Sequence, residues 1–189
     1  MKTILAFDTA TSFGAVCALS TGARARRASA GELLAAVDEL VGDPADVGRI
    51  VAGRGPGSFT SVRIGLATAR SLAAALGVPL AGASTLEAFA GAVPVLDAKR
   101  GEVFTTGPRV CRPAELDVDG RTLVGDGAIR YRALFEDRGA TVPPDDDPAH
   151  VPDPLLLLEC AQADVEPLYV REPDARPQWH EHVNGPERS

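Results

Sequence analysis

The sequence predicts an α/β fold of mixed sheets flanked by helices, arranged as two related lobes. Three observations carry this expectation. Residues 49–92 alternate apolar strand patterns with helical patterns, which is how parallel strands joined by right-handed crossovers read. Three strand-like runs precede that alternation and read as an antiparallel meander, so the sheet should be mixed. The stretch "VPVLDAKRGEVFTTG" (93–107) then repeats the layout of "TILAFDTATSFGAVCAL" near the N-terminus. Each is an apolar strand ending in aspartate, a turn, a glycine and a second strand. Asp8 with Gly14 and Asp97 with Gly101 stand at equivalent points, and such an echo points to a duplicated unit.

The elements follow in chain order. "TILAF" (3–7), "FGAVCALS" (13–20) and "RARRASA" (24–30) are the opening strands, the last with arginines that suit an edge. In "GELLAAVDELVG" (31–42), Leu33, Leu34, Val37, Leu40 and Val41 recur at helical spacing and Gly42 is a fitting stop. "RIVAG" (49–53) is a buried strand. A long helix runs to Leu76 and ends at Gly77 and Pro79. "VPLAGA" (78–83) is a strand, and "STLEAFAGA" (84–92) reads as a helix with Ser84 as N-cap. Beyond the echo, 121–139 reads as strand, tight turn and helix, and 153–164 as a short helix opened by Pro154. The organisation expected is a first lobe over 1–92, a shortened second lobe over 93–171, and a mobile tail over 172–189.

Composition narrows the function. The chain has 189 residues and a formal net charge of −7, and its only lysines are Lys2 and Lys99. Affinity for a nucleic-acid backbone comes from clustered cations, so a solitary binder of RNA is a poor fit. Cys17, Cys111 and Cys160 are far apart and form no CxxC or zinc spacing. No segment has the length to span a membrane and no cleavage signal opens the chain, so a cytoplasmic location is the simplest expectation.

The stretch "GRGPGSFT" (53–60) raises the question of a phosphate site. It has no lysine for a Walker loop, and Ser58 stands where a dinucleotide fingerprint needs its third glycine. What remains is a Pro-Gly turn with Ser58 or Thr60 as helix N-cap, whose amides can still receive an anion. Asp8 and Asp97 either hold a magnesium ion or a water, or cap their own turns. For Asp97, beside Lys99 and Arg100, capping is the preferred reading. Histidines are confined to positions 150, 180 and 182, without an HExxH pair, and no GxSxG motif occurs. The helix that follows carries an apolar stripe of Val62, Leu66, Ala69, Ala73 and Leu76, with Ile64, Leu72 and Ala75 widening it. It therefore reads as buried on two sides.

Taken together, "ILAFDTATS", "AGRGPGSFTSVRIGLATARSLA", "GASTLEAFA", "DAKRGEVF", "VGDGA" and "PLYVREPDA" resemble the TsaB (YeaZ) family over residues 4–175. The resemblance implies an actin/Hsp70-like (ASKHA) fold of duplicated ribonuclease H-like lobes. It also implies a non-catalytic role. A subunit of this kind binds a TsaD-type transferase for the N6-threonylcarbamoyladenosine modification of tRNA position 37, together with a TsaE-type ATPase. It meets tRNA only through the complex, and a homodimer is an alternative pairing. No cofactor or metal is expected on this chain alone; ATP or ADP and a metal belong to the complex. Carried onto this sequence, the partner interface falls on Leu33, Leu34, Val37, Leu40, Val41, Val62, Arg63, Leu66 and Arg70. Asp8, Gly55, Gly57, Ser58 and Thr60 are the positions that would face a nucleotide. The rival expectation is an actin-like small-molecule kinase or ATPase, with Asp8 holding magnesium.

Overall fold

The computed structural model describes residues 2–171. The expected tail over 172–189 lies outside the described residues. Strands β1 (Thr3–Asp8), β2 (Ala15–Leu19) and β3 (Arg24–Arg27) form the antiparallel meander. A 3-10 turn capped by Ser29 leads into α1 (Leu33–Leu40), and β4 (Val47–Gly53) then pairs parallel to β1. Helix α2 (Phe59–Leu76) and β5 (Leu80–Ala83) complete a five-stranded sheet in the order β3-β2-β1-β4-β5.

Helix α2 begins and ends where its caps dictate. The Ser58 hydroxyl accepts from the Ser61 amide, and Gly77 closes the helix in the left-handed conformation with φ of 63°, where a side chain would be strained. The next segment departs from the helix expected over 84–92. Only a 3-10 turn, Thr85–Ala88, forms. Ser84 caps it as expected, but the chain turns extended at Phe89, and the Thr85 amide and hydroxyl are both committed to Gly55.

The second sheet is built from β6 (Val93–Lys99), β7 (Glu102–Thr105), β8 (Arg109–Cys111) and β9 (Leu123–Val124), in the order β8-β7-β6-β9. Its pairing is antiparallel, antiparallel, parallel, the same sequence as β3-β2-β1-β4 in the first sheet. The echo read from the sequence is thus a repeated topology. The second unit is abbreviated: a 3-10 turn, Pro113–Glu115, and a loop replace the crossover helix. Of the strand, turn and helix expected over 121–139, the strand is β9 and the helix is two short ones, α3 (Asp126–Arg130) and α4 (Arg132–Glu136), broken at Tyr131. A further 3-10 turn, Pro154–Leu156, runs into α5 (Leu157–Cys160).

Three apolar layers hold the molecule. Leu5, Phe7, Ile50 and Ala52 point to α1 and α2, where they meet Leu33, Val37, Val62 and Leu66. The alternate residues Ala6, Val51, Ala81 and Ala83 meet Leu86, Leu96, Phe104 and Leu157, so the two sheets share a middle layer. Val95, Val103 and Leu123 pack beneath Leu116, Ala128 and Phe135. Each fully buried aliphatic or aromatic side chain contributes about 1.5–3 kcal/mol. Cys17 belongs to the first layer as a core residue; burial pushes its thiol up to about 12, against the opposing pull of Arg27. Residues 162–171, expected to belong to the second lobe, run back along the first. Gly82 bridges Gln162, and the Leu168 amide donates to the Arg54 carbonyl.

Candidate functional site

A cleft of about 670 Å³ lies between the two sheets. One wall is the loop after β1 (Ala10, Thr11, Ser12) together with the turn before α2 and its first residues (Pro56 to Val62). The opposite wall is the β6–β7 turn with Asp97, Lys99 and Arg100, together with Asp126. Residues Leu168 to Arg171 close the third side. Two of the sequence motifs interlock there. Phe59 stacks on Tyr169 with ring centroids 5.4 Å apart, and Arg63 lies 3.8 Å over the Phe59 ring. The Arg63 Nε also donates to the Tyr169 hydroxyl at 2.9 Å. Arg54 pairs with Asp164, and Arg70 pairs with Glu166. Nothing local in the sequence signals these pairings, since the partners lie about a hundred residues away.

The β6–β7 turn is conformationally costly. Lys99 and Arg100 both adopt positive φ, 60° and 55°, a region that ordinary side chains avoid. Asp97 holds the turn. Its Oδ1 accepts from the Lys99 amide at 2.9 Å, and its Oδ2 accepts from Lys99 Nζ at 2.7 Å and Arg130 at 3.3 Å. Burial raises the Asp97 carboxyl, but Lys99 and Arg130 outweigh it and leave it below its ordinary value. The capping reading of Asp97 is the one the geometry matches.

The positions expected to face a nucleotide divide. Gly57, Ser58 and Thr60 line the cleft. Asp8 and Gly55 do not. Asp8 is 1% exposed, and its carboxylate accepts from the Ala10 amide at 2.7 Å and from the Thr85 hydroxyl at 2.5 Å. Thr85 in turn accepts from the Gly55 amide at 3.1 Å. This chain of bonds ties the end of β1 to the Gly-Pro-Gly turn. Burial pushes the Asp8 carboxyl above its ordinary value, against the pull of Thr85 and Ala10. Both Asp8 carboxylate oxygens are engaged by these bonds, and Asp8 is not among the residues that line the cleft. Among the described residues, no group of three His, Cys, Asp or Glu side chains is arranged to hold a metal ion.

The positions expected at a partner interface also divide. Leu33, Val37, Val62 and Leu66 are buried in the core between sheet and helices. Leu40 and Val41 are half-buried against the same core. Their apolar periodicity is therefore explained by the fold itself, although Val37 and Val41 also line the groove beside Leu34. Arg63 and Arg70 are exposed but already engage Tyr169 and Glu166. Leu34 is different: it is 57% exposed, the most exposed of the large apolar side chains described. It stands on a groove of about 500 Å³ between α1 and α2, whose walls include Ala35, Val41, Leu72 and Leu76. The outward face of α2 beside it is made of small residues, with Ala67, Ser71 and Ala74 exposed, which permits another helix to approach closely.

Solved structures share this arrangement. YeaZ from Pseudomonas aeruginosa superposes with a TM-score of 0.66 at 25% identity, covering 89% of this chain and all of that one. A second Pseudomonas aeruginosa protein, described as similar to peptidase YeaZ, gives 0.71 at 26% identity, covering 90% and 100%. The repeated sheet topology and the cleft between the sheets thus define an actin/Hsp70-like (ASKHA) protein. A family described as TsaD, tRNA N6-adenosine threonylcarbamoyltransferase, matches residues 23–113. An uncharacterized protein of Mycobacterium tuberculosis (strain H37Rv) is 32% identical, covering 94% of this chain and 95% of its own. The tRNA threonylcarbamoyladenosine biosynthesis protein TsaB of Haemophilus influenzae is 28% identical over 89% of this chain and 93% of its own. TsaB of Bacillus subtilis is 42% identical, over 37% of this chain and 36% of its own. The chain belongs to the TsaB/YeaZ family.

Proposed function

We propose that this chain works in tRNA threonylcarbamoyladenosine biosynthesis as a non-catalytic subunit that docks a TsaD-type transferase through the groove between α1 and α2. The observation that carries the reading is Leu34, exposed beside an apolar groove on the helical face. Buried anchors in such grooves supply most of an interface's energy. Small residues along α2 let a partner helix seat against it. The partner holds the chemistry, and the nucleotide, the metal and a TsaE-type ATPase belong to the assembly. The same face suits a second copy of this chain when the transferase is missing. Asp8, enclosed by Thr85 and Ala10, favours this reading over an actin-like kinase.

The test is co-expression with the TsaD-type protein of the same organism, followed by size-exclusion chromatography. The wild-type chain should co-elute, and Leu34→Asp should not. The Leu34 side chain is outside the core, so the variant should keep the wild-type circular dichroism. Co-elution retained by Leu34→Asp would overturn the proposed docking face. Full threonylcarbamoylation by the transferase without this chain would overturn the role itself.

A further inference from the structure

The motif "VGDGA" (124–128) brings one carboxylate across the cleft. Asp126 Oδ2 accepts from the Ser12 amide at 3.0 Å, and its Oδ1 accepts from the Asp97 amide at 2.9 Å. Ser12 belongs to the loop after β1, and Asp97 to β6, so one side chain joins the two sheets. The flanking glycines make this reach possible. A Cβ on Gly125 would lie 2.7 Å from the Val95 carbonyl oxygen, and one on Gly127 would lie 2.8 Å from that atom and from the Leu96 carbonyl carbon. The Gly125 amide is itself fixed by Nδ1 of the buried His150 at 3.1 Å. The two glycines and the His150 bond thus seat the start of α3 flush on β6, with the Asp126 carboxylate left to reach Ser12.

We infer that Asp126 is an internal anion that latches the two lobes and occupies an amide pair able to receive a phosphate group. Carboxylate and phosphate oxygens accept the same N–H donors. The pair comes from loops on opposite walls of a cleft that also carries Lys99, Arg100 and the hydroxyls of Thr11 and Ser12. A phosphate entering there must displace the Asp126 carboxylate and overcome its charge. The cleft is thereby closed to phosphate by the chain's own side chain. This holds whether or not a transferase docks at the groove between α1 and α2.

The test uses the full chain and the amide resonances of Ser12 and Asp97. In the wild type both amides should be protected from hydrogen exchange, and neither should shift with inorganic phosphate or ADP at millimolar concentration. Asp126→Ala and Asp126→Asn should speed exchange at these two amides by about tenfold or more, the loss expected for a hydrogen bond to a charged acceptor. Amides in the centres of β1 and β4 should not change. Asp126→Ala should also bind inorganic phosphate or ADP about tenfold more tightly than the wild type, with Ser12 and Asp97 as the shifting resonances. Free exchange of Ser12 and Asp97 in the wild type would overturn the latch, whatever the variants do. No gain in binding of either probe by Asp126→Ala would overturn the occupied-site part. The near-isosteric Asn variant keeps the exchange test valid if the Ala variant unfolds.

Discussion

Gly53→Ala should be among the most damaging single-methyl additions in this chain. A Cβ at Gly53 would stand 1.7 Å from Asp8 Oδ2 and 2.6 Å from its Cγ. Asp8 has nowhere to go, because it is 1% exposed and held by both Ala10 and Thr85. The methyl group must expel the carboxylate, break those two hydrogen bonds, or push β4 away from β1. Hydrogen bonds to charged groups contribute about 1.5–3 kcal/mol each, so the loss should be on the order of 3–5 kcal/mol. That is a large part of the roughly 5–15 kcal/mol that stabilises a typical domain. Urea unfolding of four proteins tests it: wild type, Gly53→Ala, Asp8→Ala and the double variant. Asp8→Ala removes the obstacle, so the methyl introduced by Gly53→Ala would fill space the carboxylate vacates. The double variant should therefore be about as stable as Asp8→Ala alone, with a coupling energy close to the whole Gly53→Ala loss, on the order of 3–5 kcal/mol. Simple additivity of the two losses would refute the reasoning, since the clash would then lie elsewhere.

Two further outcomes follow from the second lobe. Asp97 is held below its ordinary value of 3.8 in the folded chain, so its contribution is complete above that value and is lost as pH falls through the lowered one. Asp97→Asn should be less stable than the wild type near neutral pH, and the gap should close on acidification below 3.8; urea midpoints measured along the pH series check this, and a constant gap would sink it. His150 is fully buried, with Nδ1 accepting from Gly125 and Nε2 bonded to the Pro143 carbonyl at 3.0 Å. His150→Leu keeps most of the volume but leaves both backbone groups without partners, a loss of about 2–4 kcal/mol by the same unfolding assay; an unchanged midpoint would show that these bonds contribute nothing.

Local patterns carried much of the fold. The strands β1, β2 and β4 and the helix α2 were legible because each has a simple apolar period and its own stop signal. The Asp8–Asp97 echo was legible because the duplicated topology preserves the strand–turn–strand order. What sequence pattern missed has one physical cause: it reports which residues are apolar at the right spacing, but not what they face. Leu33 and Leu34 are adjacent and chemically identical, yet one is sealed beneath the helix and the other is open to solvent. Asp8 ends a strand as a cleft carboxylate would, but Thr85, 77 residues on, claims it. The helix expected over 84–92 failed for the same reason, since Thr85 is bound to Gly55 instead of to its own next turn. The Asp126 latch has no local signature beyond its two glycines.

The middle apolar layer has a consequence for how such a chain can change length. Ala6, Val51, Leu96, Phe104 and Leu157 face inward between the sheets, so either sheet uncovered would present an apolar face to water. Trimming is tolerable only on the outer coats. The abbreviated lobe obeys this: the crossover helix is replaced by the short turn at Pro113–Glu115, while Leu116 and Val118 still cover the outer surface of the sheet. Divergent relatives should accordingly differ most in what lies outside the two sheets, and a gene cut between residues 92 and 93 should yield two insoluble halves.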